Sequence, residues 1–96
     1  ENVVAYRGTP PQQVARFPGV SVPFPMIVNG ELWLLATRII NGRPQAVRAT
    51  SRDGENFSEF EPFLPLRDNE VCASPVGATI KGKVAIFCVE EPIRPG

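Results

Sequence analysis

The stretch Ala49-Thr50-Ser51-Arg52-Asp53-Gly54-Glu55-Asn56-Phe57 decides how this chain is read. Asp53-Gly54 is a strong tight-turn signal, because glycine takes positive φ without steric cost and an aspartate carboxylate can fold onto nearby backbone amides. Ser51 and Phe57 frame that turn, so the stretch reads as a polar corner between two strands. Outward from it the same punctuation recurs at Asn29-Gly30, Asn41-Gly42 and Lys81-Gly82. Between the signals lie short β-rich runs: Asn2 to Arg7, Gln13 to Phe17, Met26 to Val28, Glu31 to Ile40, Gln45 to Thr50, Phe57 to Phe63, Pro75 to Ile80 and Lys83 to Val89. Eleven Pro and eight Gly in 96 residues interrupt the chain too often for long helices. No segment carries a capped, helix-periodic pattern. The expectation is an all-β antiparallel meander.

Composition limits the functions open to it. With 96 residues, 43% of them hydrophobic, the chain makes one small domain with little stability in reserve. Ten basic and ten acidic residues balance to a net charge of zero, which leaves no electrostatic footprint for nucleic acid or an anionic membrane surface. The apolar runs Leu32 to Ala36 and Val84 to Val89 are far shorter than the roughly 20 residues of a spanning helix, so no membrane partner is expected. There is no histidine, which removes Ser-His-Asp and Cys-His nucleophilic pairs and the commonest metal ligand. No metal or cofactor is expected. The chain opens at Glu1 with no signal-like segment before it, as would a processed protein or a piece of a longer one.

An internal repeat sharpens the architecture. Pro25-Met-Ile-Val-Asn-Gly-Glu-Leu-Trp-Leu-Leu-Ala36 lines up with Pro75 to Cys88, with two extra residues in the second copy. The period of roughly 50 residues is the length of one four-stranded propeller blade. Val4, Val14 and Phe17 align likewise with Val47, Phe57 and Phe60, the corner between them replaced by Pro10-Pro11. Residues 1–21 then form an outer half-blade, 22–66 a full blade and 67–96 an inner half-blade. That makes two blade equivalents, circularly permuted, in a single propeller-like domain. Unpaired strand edges favour association, so the ring is expected to close by oligomerisation, the N-terminal outer strands of one copy completing the C-terminal inner strands of the next. Three copies would give six blades, within the roughly four to eight that propellers use. The rivals are a slice of a longer propeller, and a monomer whose two halves pair internally as a small sandwich or barrel.

Ser51-Arg52-Asp53-Gly54-Glu55-Asn56-Phe57, Gly30-Glu31-Leu32-Trp33-Leu34-Leu35 and Ala73-Ser74-Pro75 resemble blades of the sialidase-like and five-bladed glycoside-hydrolase propellers, the first being similar to their Asp-box corner. The resemblance spans Pro23 to about Val89. It implies a carbohydrate context, and a corner that staples a turn and takes no part in catalysis. In such enzymes carboxylates near the ring axis act as acid and base, and four or more blades assemble the site. No catalytic signature of either family is present to carry over. Tyr6-Arg7-Gly8-Thr9-Pro10 resembles the arginine-containing opening motif of sialidases, without the Ile between Arg and Pro.

The candidate residues follow. Asp68 and Glu70 in the Arg67-Asp68-Asn69-Glu70 linker could serve as an acid–base pair on a glycoside, or form a solvated loop, as would Glu90-Glu91. Trp33 and Tyr6 could stack on a sugar face, as could Phe24 and Phe87, with core packing as the alternative. Phe57, Phe60 and Phe63 read as packing between blades. Arg7 joins Tyr6 through the opening motif. Arg38 and Arg48, with Arg43 and Arg52, form an arginine cluster for an anionic ligand, or pair with Glu55, Glu59 and Glu61. Cys72 and Cys88 fall on neighbouring strands whose antiparallel pairing brings them together, as a bridge or as two buried thiols. A bridge would point to an extracytoplasmic compartment. The function expected is a non-catalytic carbohydrate-binding or assembly module of propeller type, with itself and a glycan as partners. The alternatives are part of a glycoside-acting enzyme, and a protein-binding or inhibitor module presenting Pro10-Pro11 or Pro23-Phe24-Pro25.

Overall fold

A computed structural model describes residues 1–90 of the chain, and every regular element in them is a β-strand. In chain order these are β1 (Asn2–Arg7), β2 (Gln12–Pro18), β3 (Ser21–Val28), β4 (Glu31–Ile40), β5 (Arg43–Ser51), β6 (Glu61–Pro62), β7 (Ala73–Ile80) and β8 (Lys83–Val89). They form three antiparallel sheets, β1-β2, β3-β4-β5-β6 and β7-β8, none of them closed. Glu91 and the end of the 67–96 segment lie outside the described residues. Strand order follows chain order because two-residue turns link most neighbours. Asn29-Gly30, Asn41-Gly42 and Lys81-Gly82 each hold both residues at positive φ, the geometry whose twist matches that of a hairpin.

The expected strand Phe57 to Phe63 shrinks to Glu61–Pro62, which pairs with Arg48 and Val47. Aromatic packing takes over the rest. Phe57 and Phe60 turn onto Phe17, edge-to-face at centroid distances of 5.1 and 5.2 Å.

The middle sheet is covered on both faces, which is why β4 runs Leu34-Leu35-Ala36-Thr37 with every side chain buried. Alternation sends Leu34 and Ala36 of β4, with Val47 and Ala49 of β5, toward Val3, Val20 and Phe60, so β1-β2 closes this face. Leu35, Met26 and Ala46 turn to the other face, where β7 packs across β3, β4 and β5. β7 can approach that closely because Gly77 has no side chain: a Cβ there would lie 2.5 Å from Met26 Sδ. The Ser74 amide also donates to Thr37 Oγ1 at 2.8 Å, tying the two layers.

Hydrogen-bond registers correct the alignment of the repeat. Ser21 faces Thr37 and Phe24 faces Leu35, while Ala73 faces Val89 and Val76 faces Phe87, each hairpin with a register shift in between. Val22 and Ser74 both take positive φ, 52° and 50°, and a proline follows each. The equivalent prolines are therefore Pro23 and Pro75, and the hairpins match throughout without the two extra residues. Pro25 was a decoy because the second hairpin has Gly77 where the first has Pro25.

The hairpins β1-β2 and β7-β8 lie on opposite faces of the middle sheet and, among the described residues, pair with no strand beyond themselves. The two ends therefore do not pair to close a barrel, and the three sheets stack as layers.

Candidate functional site

The corner Ser51–Phe57 is locally satisfied. Asp53 Oδ1 accepts the amides of Glu55 and Asn56, both at 2.8 Å, and Asp53 Oδ2 accepts Asn56 Nδ2 at 2.7 Å. Ser51 Oγ accepts the Gly54 amide at 2.9 Å and donates to Asp53 Oδ1 at 3.1 Å. The Asn56 amide, then the Glu55 amide, hold the Asp53 carboxyl far below the usual carboxylate range. With its oxygens turned inward to the corner, Asp53 is a staple.

Trp33 and Arg48 meet. Trp33 pairs with Thr50 and Leu35 with Arg48, so the two side chains are diagonal neighbours on the β7-covered face. Arg48 Cζ sits 4.4 Å from the Trp33 ring centroid and 5.2 Å from that of Phe63, within cation–π range of both. Phe63 meets Trp33 edge-on at 6.4 Å. Trp33 Nε1–H donates to Glu31 Oε1 at 3.2 Å. Phe63 thus packs on the opposite face from Phe57 and Phe60.

The other candidates are elsewhere. Tyr6 is exposed at the end of β1. Arg7 pairs with Glu55 Oε1 at 2.7 Å, lying along Gly54. Arg38 is on the β1-β2 side, its Nη1 donating to the Phe60 carbonyl at 3.2 Å. Arg52 lines a cleft of 240 Å³ with Trp33 and Glu31. The expected arginine cluster thus does not form: Arg38 and Arg48 fall on opposite faces by strand alternation, and Glu55 is taken by Arg7.

Asp68 and Glu70 part company as well. Glu70 Oε1 accepts the Arg67 amide at 2.8 Å as part of a local loop. Asp68 instead lines an open cleft of 390 Å³ at the Asn41-Gly42 end, with Ile40, Arg43, Gln45, Leu66 and Arg67. Sequence reasoning missed this cleft, since it joins the start of β5 to the linker ahead of β7. Among the described residues no group of three His, Cys, Asp or Glu side chains converges to hold a metal, and no helix is long and apolar enough to cross a membrane.

Cys72 and Cys88 form a disulfide, with Cα atoms 5.3 Å apart. The bridge links the end of the linker to β8.

No family model, curated protein or solved structure matches this chain.

Proposed function

We propose that this chain is a non-catalytic assembly module of propeller type with a sugar as its ligand class. On this reading β3 to β6 is a whole blade, β1-β2 the outer half of the blade before it and β7-β8 the inner half of the blade after it. The supporting observation is the matched pair of hairpins. Leu35, in the hairpin that has a layer above it, is 0% exposed, and its equivalent Phe87, in the hairpin that has none, is 59% exposed. A repeat that keeps its apolar pattern where its cover is missing is built to be covered. Another copy can supply that cover, with β1-β2 of one chain completing β7-β8 of another around a closed ring.

The cleft at the Asn41-Gly42 end suits the ligand. Its 390 Å³ falls in the size range of small-molecule sites. Arg43, Arg67 and Gln45 offer donors, Asp68 an acceptor for hydroxyls, and Ile40 and Leu66 an apolar floor. Asp68 is also the observation behind a second reading, part of a glycoside-acting enzyme. Glycoside hydrolysis uses two carboxylates, and this cleft is lined by one. The disulfide supports an extracytoplasmic setting.

Light scattering on the isolated chain tests the assembly: a discrete closed oligomer is expected, and a well-folded monomer at all concentrations would refute it. Glycan-array binding tests the ligand class separately, and hydrolysis of a glycoside by the isolated chain would favour the enzyme.

A further inference from the structure

We infer that a second copy of this chain docks head to tail, setting Tyr6 and Val4 of one copy on the Trp33–Arg48–Phe63 stack of the other. The inference rests on the assembly reading above and specifies its contact.

The position of each residue in the repeat leads to it. Val4 aligns with Val47, and two residues on, Tyr6 aligns with Ala49. Val47 and Ala49 face the β1-β2 layer and are fully buried, whereas Val4 and Tyr6 are 39% and 61% exposed. Val3 and Phe17 pair across β1-β2 and turn inward to the middle sheet, which puts Phe17 in the place of Phe63 and not of Phe60, and alternation points Val4 and Tyr6 away from it. They are the outward face of an outer half-layer. The middle sheet has the matching uncovered area. β7-β8 covers its other face from the β3 side, and the Trp33–Arg48–Phe63 stack lies toward the β5-β6 side with all three side chains only half buried. An outer half-layer laid beside β8 lands on that stack.

The level along the strands agrees. Arg7, next to Tyr6, pairs with Glu55 of the corner, and Trp33 shares a cleft with Asn29, Gly30 and Arg52 at the same end of the sheet. Tyrosine also suits the chemistry, with a ring to stack on Arg48 and an apolar edge for Phe63 and Trp33.

The same docking settles a second pair. The free edge of β8 meets the free edge of β1 from the other copy. Phe87, Val76 and Val89 on the outward face of β7-β8 then meet Ile27, which is 63% exposed where the middle sheet lacks an inner layer. One rigid placement covers the exposed apolar residues of both hairpins, which identifies a second copy as the occupant over an unrelated partner.

The test is the concentration dependence of solution mass for the full chain and for Tyr6→Lys, Phe87→Lys and the double variant Tyr6→Lys/Arg48→Glu. Wild type is expected to form a discrete oligomer, and each single lysine variant to dissociate at least about tenfold more readily. The double variant is expected to recover, since the introduced ammonium then faces an introduced carboxylate across the contact. Both lysine substitutions replace exposed side chains, and circular dichroism checks that each variant stays folded. A wild-type oligomer indifferent to Tyr6→Lys and Phe87→Lys would overturn this contact and leave the assembly reading standing. Dissociation by Tyr6→Lys without recovery in the double variant would overturn the Tyr6–Arg48 pairing. A monomeric wild type would overturn both.

Discussion

The hairpins β3-β4 and β7-β8 share turn, bulge and register, yet one is a core and the other a surface. Leu35 and Phe87 hold equivalent places, as do Thr37 and Val89, and in each pair the first is buried and the second exposed. The difference does not arise within the hairpins. β3-β4 has β5 along its edge, β7-β8 over one face and β1-β2 over part of the other, whereas β7-β8 has one layer beneath it and the Cys72–Cys88 bridge. A hairpin's backbone is set by its own turn residues, but its burial is set by its neighbours. Where the neighbours are missing, a covalent link does part of their work by limiting the unfolded chain.

Truncating the equivalent pair separates the two hairpins most sharply. Leu35→Ala should cost about 2 to 5 kcal/mol in urea denaturation, the range for a large-to-small change in a closed core. At concentrations low enough to keep the chain monomeric, Phe87→Ala should cost under about 1 kcal/mol, since in a single copy its ring is largely exposed. Equal losses in the monomer would mean that Phe87 is covered within its own copy.

The bridge comes next. Replacing both cysteines by alanine should destabilise the fold by about 3 kcal/mol for a 16-residue separation. Hydrogen exchange should place the loss in β7-β8 and leave β3-β4 protected. Uniform loss of protection would show that the hairpins unfold as one unit.

A smaller effect is expected at the corner. Asp53 has a lowered folded-state pKa, so its contribution is complete above the unfolded value of about 4 and declines as pH falls below it. Asp53→Asn should lower the thermal midpoint at pH 7, and the gap from wild type should narrow at pH 3. A gap independent of pH would assign the loss to shape and not to charge.

Last is the bulge, where the repeats differ in side chain alone. Val22 is β-branched at φ 52°, a strained combination, while Ser74 holds nearly the same φ with less crowding at Cβ. Val22→Asn should raise stability by roughly 0.5 to 1 kcal/mol, and Ser74→Asn by less. The reverse order would show that the strain lies in the ladder around the bulge.

Much of the fold was legible because glycine-containing turns act locally. Asn29-Gly30, Asn41-Gly42, Asp53-Gly54 and Lys81-Gly82 marked links between strands, and β1, β4 and β8 kept their expected bounds. What failed was non-local. Phe57 to Phe63 read as a strand because aromatic residues favour sheets, but Phe17, far upstream of Phe57, drew that segment into the core. The repeat was aligned on the wrong proline because a bulge leaves no mark on residue spacing. At the site, Trp33 and Arg48 were each legible but their contact was not, since it depends on the β4-β5 register. The cleft around Arg43 and Asp68 depends on where the linker crosses, which no local signal encodes.

The opposite placement of the two end hairpins has a consequence for growth. Because they flank the middle sheet, the two end hairpins do not pair with each other, and in the proposed head-to-tail assembly every contact that completes one edge would present another. The angle between successive copies would then decide the outcome: a turn that divides the circle would give a closed ring, and one that does not would give a filament with no built-in stop. A substitution that tilted β7-β8 slightly against β3 would then leave each subunit folded and change only whether the chain of subunits ends.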